Sequence, residues 1–277
     1  MYVGALTAPF GRESFESVVQ WAGSVGLSAL EVAAGPGSQH IDPAKVTKEE
    51  ASRINELVAR HNVKISSLAY YANLLDPERK QQVVDHLKRT IQAARTLGLD
   101  VVCTMAGMPV AGKDRNRTIT EDFAPLFRPI AKFAADHGIK LAFENWTATN
   151  IRGLDNWDRV FTEVPDANVG LNYDPSHLYW QDIDYLWAIE HFASRIFHVH
   201  AKDTEVKRHR VRYVGNQDGG GWWRYCIPGY GGIHWGELVA HLKSNGYDGV
   251  LSIEHEDGLL GREEGFIKGM KHLQQFI

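Results

Sequence analysis

The feature that most constrains this chain is a strand-like segment followed by a helix-like segment, repeated eight times. The strand-like segments are short runs of apolar and β-branched residues, and the helix-like segments carry apolar residues three and four positions apart. We predict strands at residues 2–6, 29–33, 63–69, 101–105, 141–144, 169–173, 196–200 and 250–254. We predict helices at about 14–25, 47–61, 76–98, 121–135, 157–164, 185–192, 234–245 and 264–276.

This alternation favours an α/β fold with a parallel sheet and right-handed crossovers. Eight units in 277 residues are typical of a (β/α)8 TIM barrel. We therefore predict a single barrel domain over residues 1–277, with a long insertion at about 204–233, after strand seven, that overhangs the active site. A doubly wound open sheet is the alternative, but no glycine-rich dinucleotide-binding motif follows the first strand.

The composition of the chain predicts which kinds of partner it binds and in which cellular compartment it works. The 30 Lys and Arg residues against 34 Asp and Glu residues give a formal net charge of −4, so we expect neither a nucleic-acid partner nor an anionic membrane. No apolar run approaches the roughly 20 residues that cross a bilayer, and we expect the first residues to form a strand and not a signal peptide. The two cysteines, Cys103 and Cys226, lie far apart, which predicts a reduced, cytoplasmic protein without a disulfide framework.

Four successive predicted strands end in residue types that bind hard metal ions. These residues are Glu144, Asp174, His200 and Glu254. Because active sites of TIM barrels lie at the carboxyl ends of the strands, and these four strands are neighbours, the side chains can converge. Three carboxylates and one imidazole suit Mn²⁺, Mg²⁺ or Co²⁺, and Zn²⁺ also accepts them. Each residue alone fits a turn, a cap or a solvated carboxylate, but their equivalent positions in the repeat favour a metal site.

The seventh strand carries two histidines on one face, His198 and His200. Since side chains two positions apart lie at different depths on the same face, at most one of them reaches the rim of the barrel. We predict that His200 is the metal ligand and that His198 is a packed, hydrogen-bonded histidine deeper in the barrel.

The segments around the four candidate ligands are similar to those of a known family. Glu144 lies in AFEN, Asp174 and His177 in DPSH, His200 in HVHAKD and Glu254 in SIEHED. These motifs resemble the xylose isomerase-like TIM barrels of the sugar phosphate isomerase/epimerase superfamily, which includes ketose 3-epimerases and inosose-processing enzymes. The resemblance covers essentially the whole barrel and is most specific from strand five onward.

The resemblance implies that the four residues bind one divalent metal ion, with Mn²⁺ the first choice. It also implies that Glu144 and Glu254 are the catalytic acid and base groups, that His177 contacts a substrate oxygen, and that the protein is a dimer or tetramer. Endonuclease IV-like repair enzymes share this barrel but need additional histidines near the ends of strands three and four. Here those strands end in Ser67 to Tyr71 and Cys103 to Ala106, so a nuclease is not expected.

The chemistry of these residues suits a sugar isomerase or epimerase. A metal ion stabilises the enediolate that forms when a proton leaves the carbon next to a carbonyl, and two carboxylates can remove and return that proton. One alternative is a lyase or dehydratase that acts on a keto-sugar or inosose. Another is a non-catalytic sugar-binding barrel.

Further substrate contacts are predicted from position. Trp146 lies two residues after Glu144, Lys202 lies two residues after His200, and Arg210 lies in the insertion, which is rich in tryptophan and arginine. Indole rings stack on sugar faces and arginines bind hydroxyl or phosphate groups. Lys202 and Asp203 could also form a supporting pair behind the ligands. The insertion itself fits equally a surface hairpin or a subunit contact.

Overall fold

The computed structural model describes residues 1–216 and 220–277. Within these residues, eight parallel strands close into a barrel in the order β1-β10-β7-β6-β5-β4-β3-β2. The barrel strands are β1 (Tyr2–Leu6), β2 (Ala29–Ala33), β3 (Lys64–Tyr70), β4 (Val101–Met105), β5 (Lys140–Glu144), β6 (Val169–Tyr173), β7 (Ile196–Ala201) and β10 (Val250–Ile253). The predicted (β/α)8 barrel is therefore confirmed, and every predicted strand matches to within about one residue at each end.

Helices surround the barrel and connect its strands. They are α1 (Phe15–Val25), α2 (Lys48–Arg60), α3 (Lys80–Leu97), α4 (Arg115–Thr118), α5 (Ala124–Asp136), α6 (Leu154–Glu163), α7 (Pro175–Tyr179), α8 (Tyr185–Phe192), α9 (Arg208–Val214), α10 (Trp235–Ser244) and α11 (Arg262–Leu273). Their ends follow local chemistry: the Ser14 hydroxyl accepts a hydrogen bond from the N–H of Ser17 at the start of α1, and Gly26 ends that helix at φ +89°.

Three helix predictions were wrong in detail. The helix predicted from residue 76 begins at Lys80, because the Asp76 carboxylate accepts hydrogen bonds from the N–H groups of Glu78 and Arg79 and holds a separate turn. The helix predicted from residue 121 begins earlier, since a π-helical turn (Ile119–Phe123) joins α4 to α5. The helix predicted from residue 157 begins at Leu154, where the side chain of Asn156 accepts a hydrogen bond from the N–H of Gly153.

The interior of the barrel contains buried polar side chains. Apolar residues of the same strands, such as Val102, Leu141 and Phe143, instead belong to the main core that packs against the helices, where the ring of Phe143 lies against that of Phe127. The fully buried polar residues of the barrel strands include Glu31, Ser67, Asn172, His200 and Ser252. Buried polar side chains require hydrogen-bond partners, so this layer is a connected network and forms the floor of the site described below.

The insertion after β7 forms an antiparallel hairpin. Its strands are β8 (Asp203–Val206) and β9 (Trp223–Cys226), with Asp203 paired to Cys226 and Val206 paired to Trp223. Helix α9 lies between them, and residues 217–219 of the predicted insertion lie outside the described residues. The hairpin begins directly above the β7 strand that carries His200, so the predicted insertion does start at the rim.

Two expectations from composition can be compared with the structure. Cys103 and Cys226 are both free and buried, which agrees with the prediction that no disulfide framework holds this chain. Across the described ranges, no helix is both long enough and apolar enough to cross a membrane.

Candidate metal centre and active site

The four predicted ligands converge at one end of the barrel. Each of them offers one ligand atom, and these atoms all lie within 4.8 Å of one another. The Nδ1 atom of His200 lies 3.3 Å from Glu254 Oε2, 3.9 Å from Glu144 Oε1 and 3.9 Å from Asp174 Oδ2. The strands β5, β6, β7 and β10 are consecutive in the barrel, which is why residues so distant in sequence meet at one point.

This cluster fits a divalent cation. Asp174 Oδ2 and His200 Nδ1 are buried, and among the described residues neither makes a well-formed hydrogen bond. A buried polar atom without a hydrogen bond is unfavourable by about 1–3 kcal/mol. Asp174 Oδ2 forms an ion pair with the Lys202 ammonium at 3.2 Å and faces the same space as His200 Nδ1, 3.9 Å away. Together with the oxygens of Glu144 and Glu254 they form the hard donor set that Mn²⁺, Mg²⁺, Co²⁺ or Zn²⁺ accepts.

Glu31, which the sequence analysis missed, orients His200 from below. Its carboxylate accepts hydrogen bonds from His200 Nε2 at 3.0 Å, from the Ser252 hydroxyl at 2.8 Å and from the Tyr71 hydroxyl. With Nε2 occupied in this way, His200 turns Nδ1 toward the other ligands. A signal was present in the sequence, since Glu31 is a charged residue inside the apolar strand ALEVA.

Electrostatics make the buried carboxylates unequal. Burial raises the pKa of Glu144 to about 7, with a further contribution from the neighbouring Glu254 carboxylate. Burial also acts to raise the pKa of Glu254, but the charges of Lys202 and His200 outweigh it and the pKa falls well below its usual value. For Glu31, burial is outweighed by His200 and His198, and the pKa falls to about 2. In the chain by itself, Glu144 therefore holds a proton more readily than Glu254 does.

Lys202 lies among the candidate ligands. Its side chain is buried, and Nζ lies 2.5 Å from Glu254 Oε2 and 3.2 Å from both Asp174 Oδ2 and Glu256 Oε2. These carboxylates outweigh the effect of burial and hold the pKa of Lys202 well above its usual value. Lys202 is thus a fixed positive charge at the predicted position, and its contact with a substrate stays a prediction.

Asp203 does not form the supporting pair with Lys202 that the sequence suggested. Its carboxylate instead accepts hydrogen bonds from the N–H groups of Gly229 and Ile233 and from the Trp235 indole, at 3.0, 3.1 and 3.0 Å. The alternation of side chains along the extended chain explains the difference, because consecutive residues point in opposite directions. Asp203 anchors the insertion.

His177, on the short helix α7, lies against the ligands. Its Nε2 atom lies 3.3 Å from Glu144 Oε1 and 3.5 Å from Asp174 Oδ2. Its Nδ1 atom lies 2.6 Å from the hydroxyl of Tyr225, a residue of the hairpin that the sequence analysis did not single out. Burial, with a further contribution from the charge of Lys202, lowers the pKa of His177 to about 3, so the imidazole is neutral.

His198 lies deeper in the barrel, as predicted. Its Nδ1 atom is 2.8 Å from Asn172 Oδ1, and its Nε2 atom is 3.2 Å from the Ser66 hydroxyl. Burial lowers the pKa of His198 to about 4. The prediction of a packed, hydrogen-bonded histidine is confirmed.

A cavity of about 410 Å³ opens above the candidate ligands. Its lining residues are Tyr71, Met105, Met108, Glu144, Trp146, Lys202, Tyr225, Glu254 and Glu256. Trp146 and Lys202 therefore lie where the sequence predicted. A larger surface groove, of about 480 Å³, lies between the loops after β4, β5 and β6 and is lined by none of the predicted site residues.

Arg210 is not brought to this cavity. It is exposed on α9 and lies beside Gly221 of the same insertion: a Cβ atom built on Gly221 would be 3.7 Å from Arg210 Nε. The reason is that α9 begins two residues after β8 ends and carries Arg210 into solvent. Among the described residues, the insertion contributes Tyr225 to the cavity instead.

Comparison with known proteins agrees with the barrel fold. YfiH of Bacillus subtilis (strain 168), an uncharacterized protein, is 27% identical over 312 aligned positions that cover 100% of this chain and 99% of that protein. Inosose dehydratase of Salmonella typhimurium (strain LT2) is 27% identical over 157 residues, which are 53% of this chain and 51% of that enzyme. The crystal structure of a D-tagatose 3-epimerase-like protein superposes with a TM-score of 0.76 at 21% identity, covering 100% of this chain and 97% of that one. Since the family model for xylose isomerase-like TIM barrels also matches residues 19–276, this chain belongs to that family.

Proposed function

We propose that this protein is a divalent-metal-dependent sugar isomerase or epimerase that moves a proton next to a carbonyl group through an enediolate. The observation that carries the proposal is the convergence of Glu144, Asp174, His200 and Glu254 beneath a cavity of about 410 Å³. Its similarity to a D-tagatose 3-epimerase-like protein supports the same class of reaction.

Glu144, Asp174, His200 and Glu254 would hold the ion, with Mn²⁺ the first choice. When bound, a divalent ion supplies positive charge next to the substrate oxygens on which negative charge develops. Asp174 Oδ2 and His200 Nδ1, two buried atoms that lack hydrogen bonds among the described residues, support this assignment because the ion would satisfy both.

The remaining steps belong to side chains of this chain. Glu144 ends β5 and Glu254 follows β10, the outer strands of the four-strand arc, so they can reach a bound sugar from two sides. One of them removes the proton from carbon and the other returns a proton to carbon. Lys202 and His177 would bind substrate oxygens, and Trp146 would pack on a sugar face.

Solvent exchange tests the proposal. Protein saturated with Mn²⁺ is incubated in D₂O with a panel of ketoses, and deuterium incorporation next to the carbonyl is followed by NMR. We expect exchange by the unmodified chain, and a loss of about 10²- to 10⁴-fold in Glu144→Gln and Glu254→Gln, the usual contribution of an acid or base group.

The exposed Glu263→Gln on α11 is the matched control and should exchange normally. Unchanged exchange in both active-site variants would overturn the mechanism. Sugar binding without exchange for any ketose would instead favour the non-catalytic sugar-binding barrel.

A dehydratase that acts on a keto-sugar or inosose is the second candidate. The similarity to inosose dehydratase over half of the chain favours it. So do Lys202 and Glu256, which line the cavity 3.2 Å apart and are able to protonate a departing hydroxyl group. The proton would leave carbon as before, and the β-hydroxyl would then depart as water. Mass spectrometry distinguishes the two candidates, because a dehydratase product has lost one water and an isomerase product has not.

A further inference from the structure

The hairpin places one side chain on the predicted substrate-binding histidine. The Tyr225 hydroxyl lies 2.6 Å from His177 Nδ1, and the two rings meet edge to face at a centroid distance of 5.1 Å. The ammonium of Lys202 lies 4.5 Å from the centroid of the Tyr225 ring. Tyr225 therefore contacts two residues of the candidate site without belonging to a barrel strand.

The hairpin is held firmly enough to keep Tyr225 in this position. Next to it, Arg224 donates hydrogen bonds to Glu205 at 2.6 Å and to the buried Asp257 at 2.8 Å. Asp257 follows shortly after Glu254, so the ion pair ties the hairpin to the loop that carries a candidate ligand. Asp203 anchors the base of the same hairpin.

Hydrogen-bond donors and acceptors around His177 select one tautomer. A neutral imidazole carries one N–H, so one ring nitrogen donates and the other accepts. A tyrosine hydroxyl donates readily, and its bonded partner among the described residues is His177 Nδ1. On the other side, Nε2 lies 3.3 Å from Glu144 Oε1 and 3.5 Å from Asp174 Oδ2. Both side chains only accept hydrogen bonds when they are ionised, which is the state in which carboxylates bind a metal ion.

Lys202 could oppose this arrangement, since Nζ lies 3.4 Å from His177 Nε2. An ammonium has three hydrogens, and Nζ lies closer to three carboxylate oxygens, those of Glu254 at 2.5 Å and of Asp174 and Glu256 at 3.2 Å. These charged groups attract the ammonium more strongly than a neutral imidazole does. Nε2 is left to carry the proton.

We propose that Tyr225 is a positioning residue that holds His177 in the tautomer with the hydrogen on Nε2. His177 then presents an N–H donor toward the oxygens of the candidate ligands Glu144 and Asp174. If the proposed function holds, that donor faces a substrate oxygen on which negative charge develops, where a fixed neutral donor lowers the barrier.

The tautomer can be measured directly by NMR on the full-length chain labelled with ¹⁵N-histidine, in excess Mg²⁺. Long-range ¹H–¹⁵N spectra distinguish protonated from unprotonated ring nitrogens, and His177→Gln assigns the pair of resonances. We expect an unprotonated Nδ1 and a protonated Nε2 in the unmodified chain. In Tyr225→Phe, which keeps the ring over Lys202 but lacks the hydroxyl, both resonances should shift toward a mixture of tautomers.

Tyr230→Phe is the matched control, because it makes the same change at a partly exposed tyrosine of the same insertion. It should leave the His177 resonances unchanged. A protonated Nδ1 in the unmodified chain, or identical His177 resonances in Tyr225→Phe, would overturn the proposal.

Kinetics test the catalytic consequence separately. With a ketose that exchanges, Tyr225→Phe should lower kcat by about 10- to 100-fold, as loss of a supporting hydrogen bond does elsewhere, with a much smaller change in KM. A wild-type kcat together with a shifted tautomer would overturn the positioning role. Because the NMR measurement needs no substrate, an absence of exchange with every ketose would count against the proposed function and leave the tautomer result standing.

Discussion

At the scale of single residues, Glu31 orients the candidate ligand His200. It is fully buried under the barrel rim and accepts a hydrogen bond from His200 Nε2 at 3.0 Å. A carboxylate behind a ligating histidine fixes the ring orientation and increases its basicity. Removing the charge of Glu31 should therefore weaken metal binding without removing a ligand.

We predict that Glu31→Gln lowers metal affinity by about 10- to 100-fold, the usual effect of losing such a partner. The amide keeps the size of the side chain but loses its charge and one acceptor oxygen. Titration of Mn²⁺ or Zn²⁺ against a competing fluorescent chelator measures the change. Glu56→Gln, at an exposed position on α2, is the control, and equal affinities in both variants would show that Glu31 does not support His200.

Among the elements, the hairpin of β8 and β9 depends on one buried carboxylate. Asp203 receives hydrogen bonds from three backbone N–H groups, those of Thr204, Gly229 and Ile233, and from the Trp235 indole. The packing around it is tight, since a Cβ atom built on Gly231 would lie only 2.2 Å from Asp203 Oδ1. The carboxylate thus joins both ends of the insertion to α10.

We predict that Asp203→Asn lowers the free energy of unfolding by about 1.5–3 kcal/mol, the range for hydrogen bonds to a charged group. The new NH₂ group would face N–H donors and leave at least one of them without an acceptor. Urea titration measures the change. Asp136→Asn, exposed on α5, should have little effect, and a similarly small effect at Asp203 would contradict its role as an anchor.

In the molecule as a whole, the candidate metal centre joins four strands from the second half of the chain. The four ligands follow or end β5, β6, β7 and β10, and the last of these also pairs with β1 to close the barrel. A ligand that binds the folded state alone stabilises it by mass action. Metal binding should therefore stabilise the closed barrel and not a single loop.

We predict that a divalent ion at about 100 times its Kd raises Tm by roughly 5–10 °C, from a gain of about 2.7 kcal/mol in a protein of this size. Thermal unfolding is compared in EDTA and in Mn²⁺, Mg²⁺, Co²⁺ or Zn²⁺. Asp174→Asn should reduce the shift in Tm, because it removes the negative charge of one of the four candidate ligands. The same Tm in EDTA and in all four ions would contradict the metal site.

The sequence by itself determined the barrel and the positions of the four candidate ligands. Apolar periodicity reports which residues are buried in strands and helices, and eight repeats leave few parallel arrangements. A residue at the carboxyl end of a barrel strand reaches the rim whatever its neighbours are, so Glu144, Asp174, His200 and Glu254 could be selected without coordinates. The motifs around these four residues indicated the family, because they can be read directly from the sequence.

Only the tertiary structure decided which other side chains meet these four. Glu31 lies under His200 because closure of the barrel brings side chains of β2 and β7 together in its interior, and a linear sequence pattern does not contain that distance. Tyr225 reaches His177, and Arg210 does not reach the cavity, because the hairpin folds back over the rim while α9 turns into solvent. Such contacts depend on strand register, side-chain alternation and the path of an irregular segment, where one residue of difference reverses the direction of a side chain.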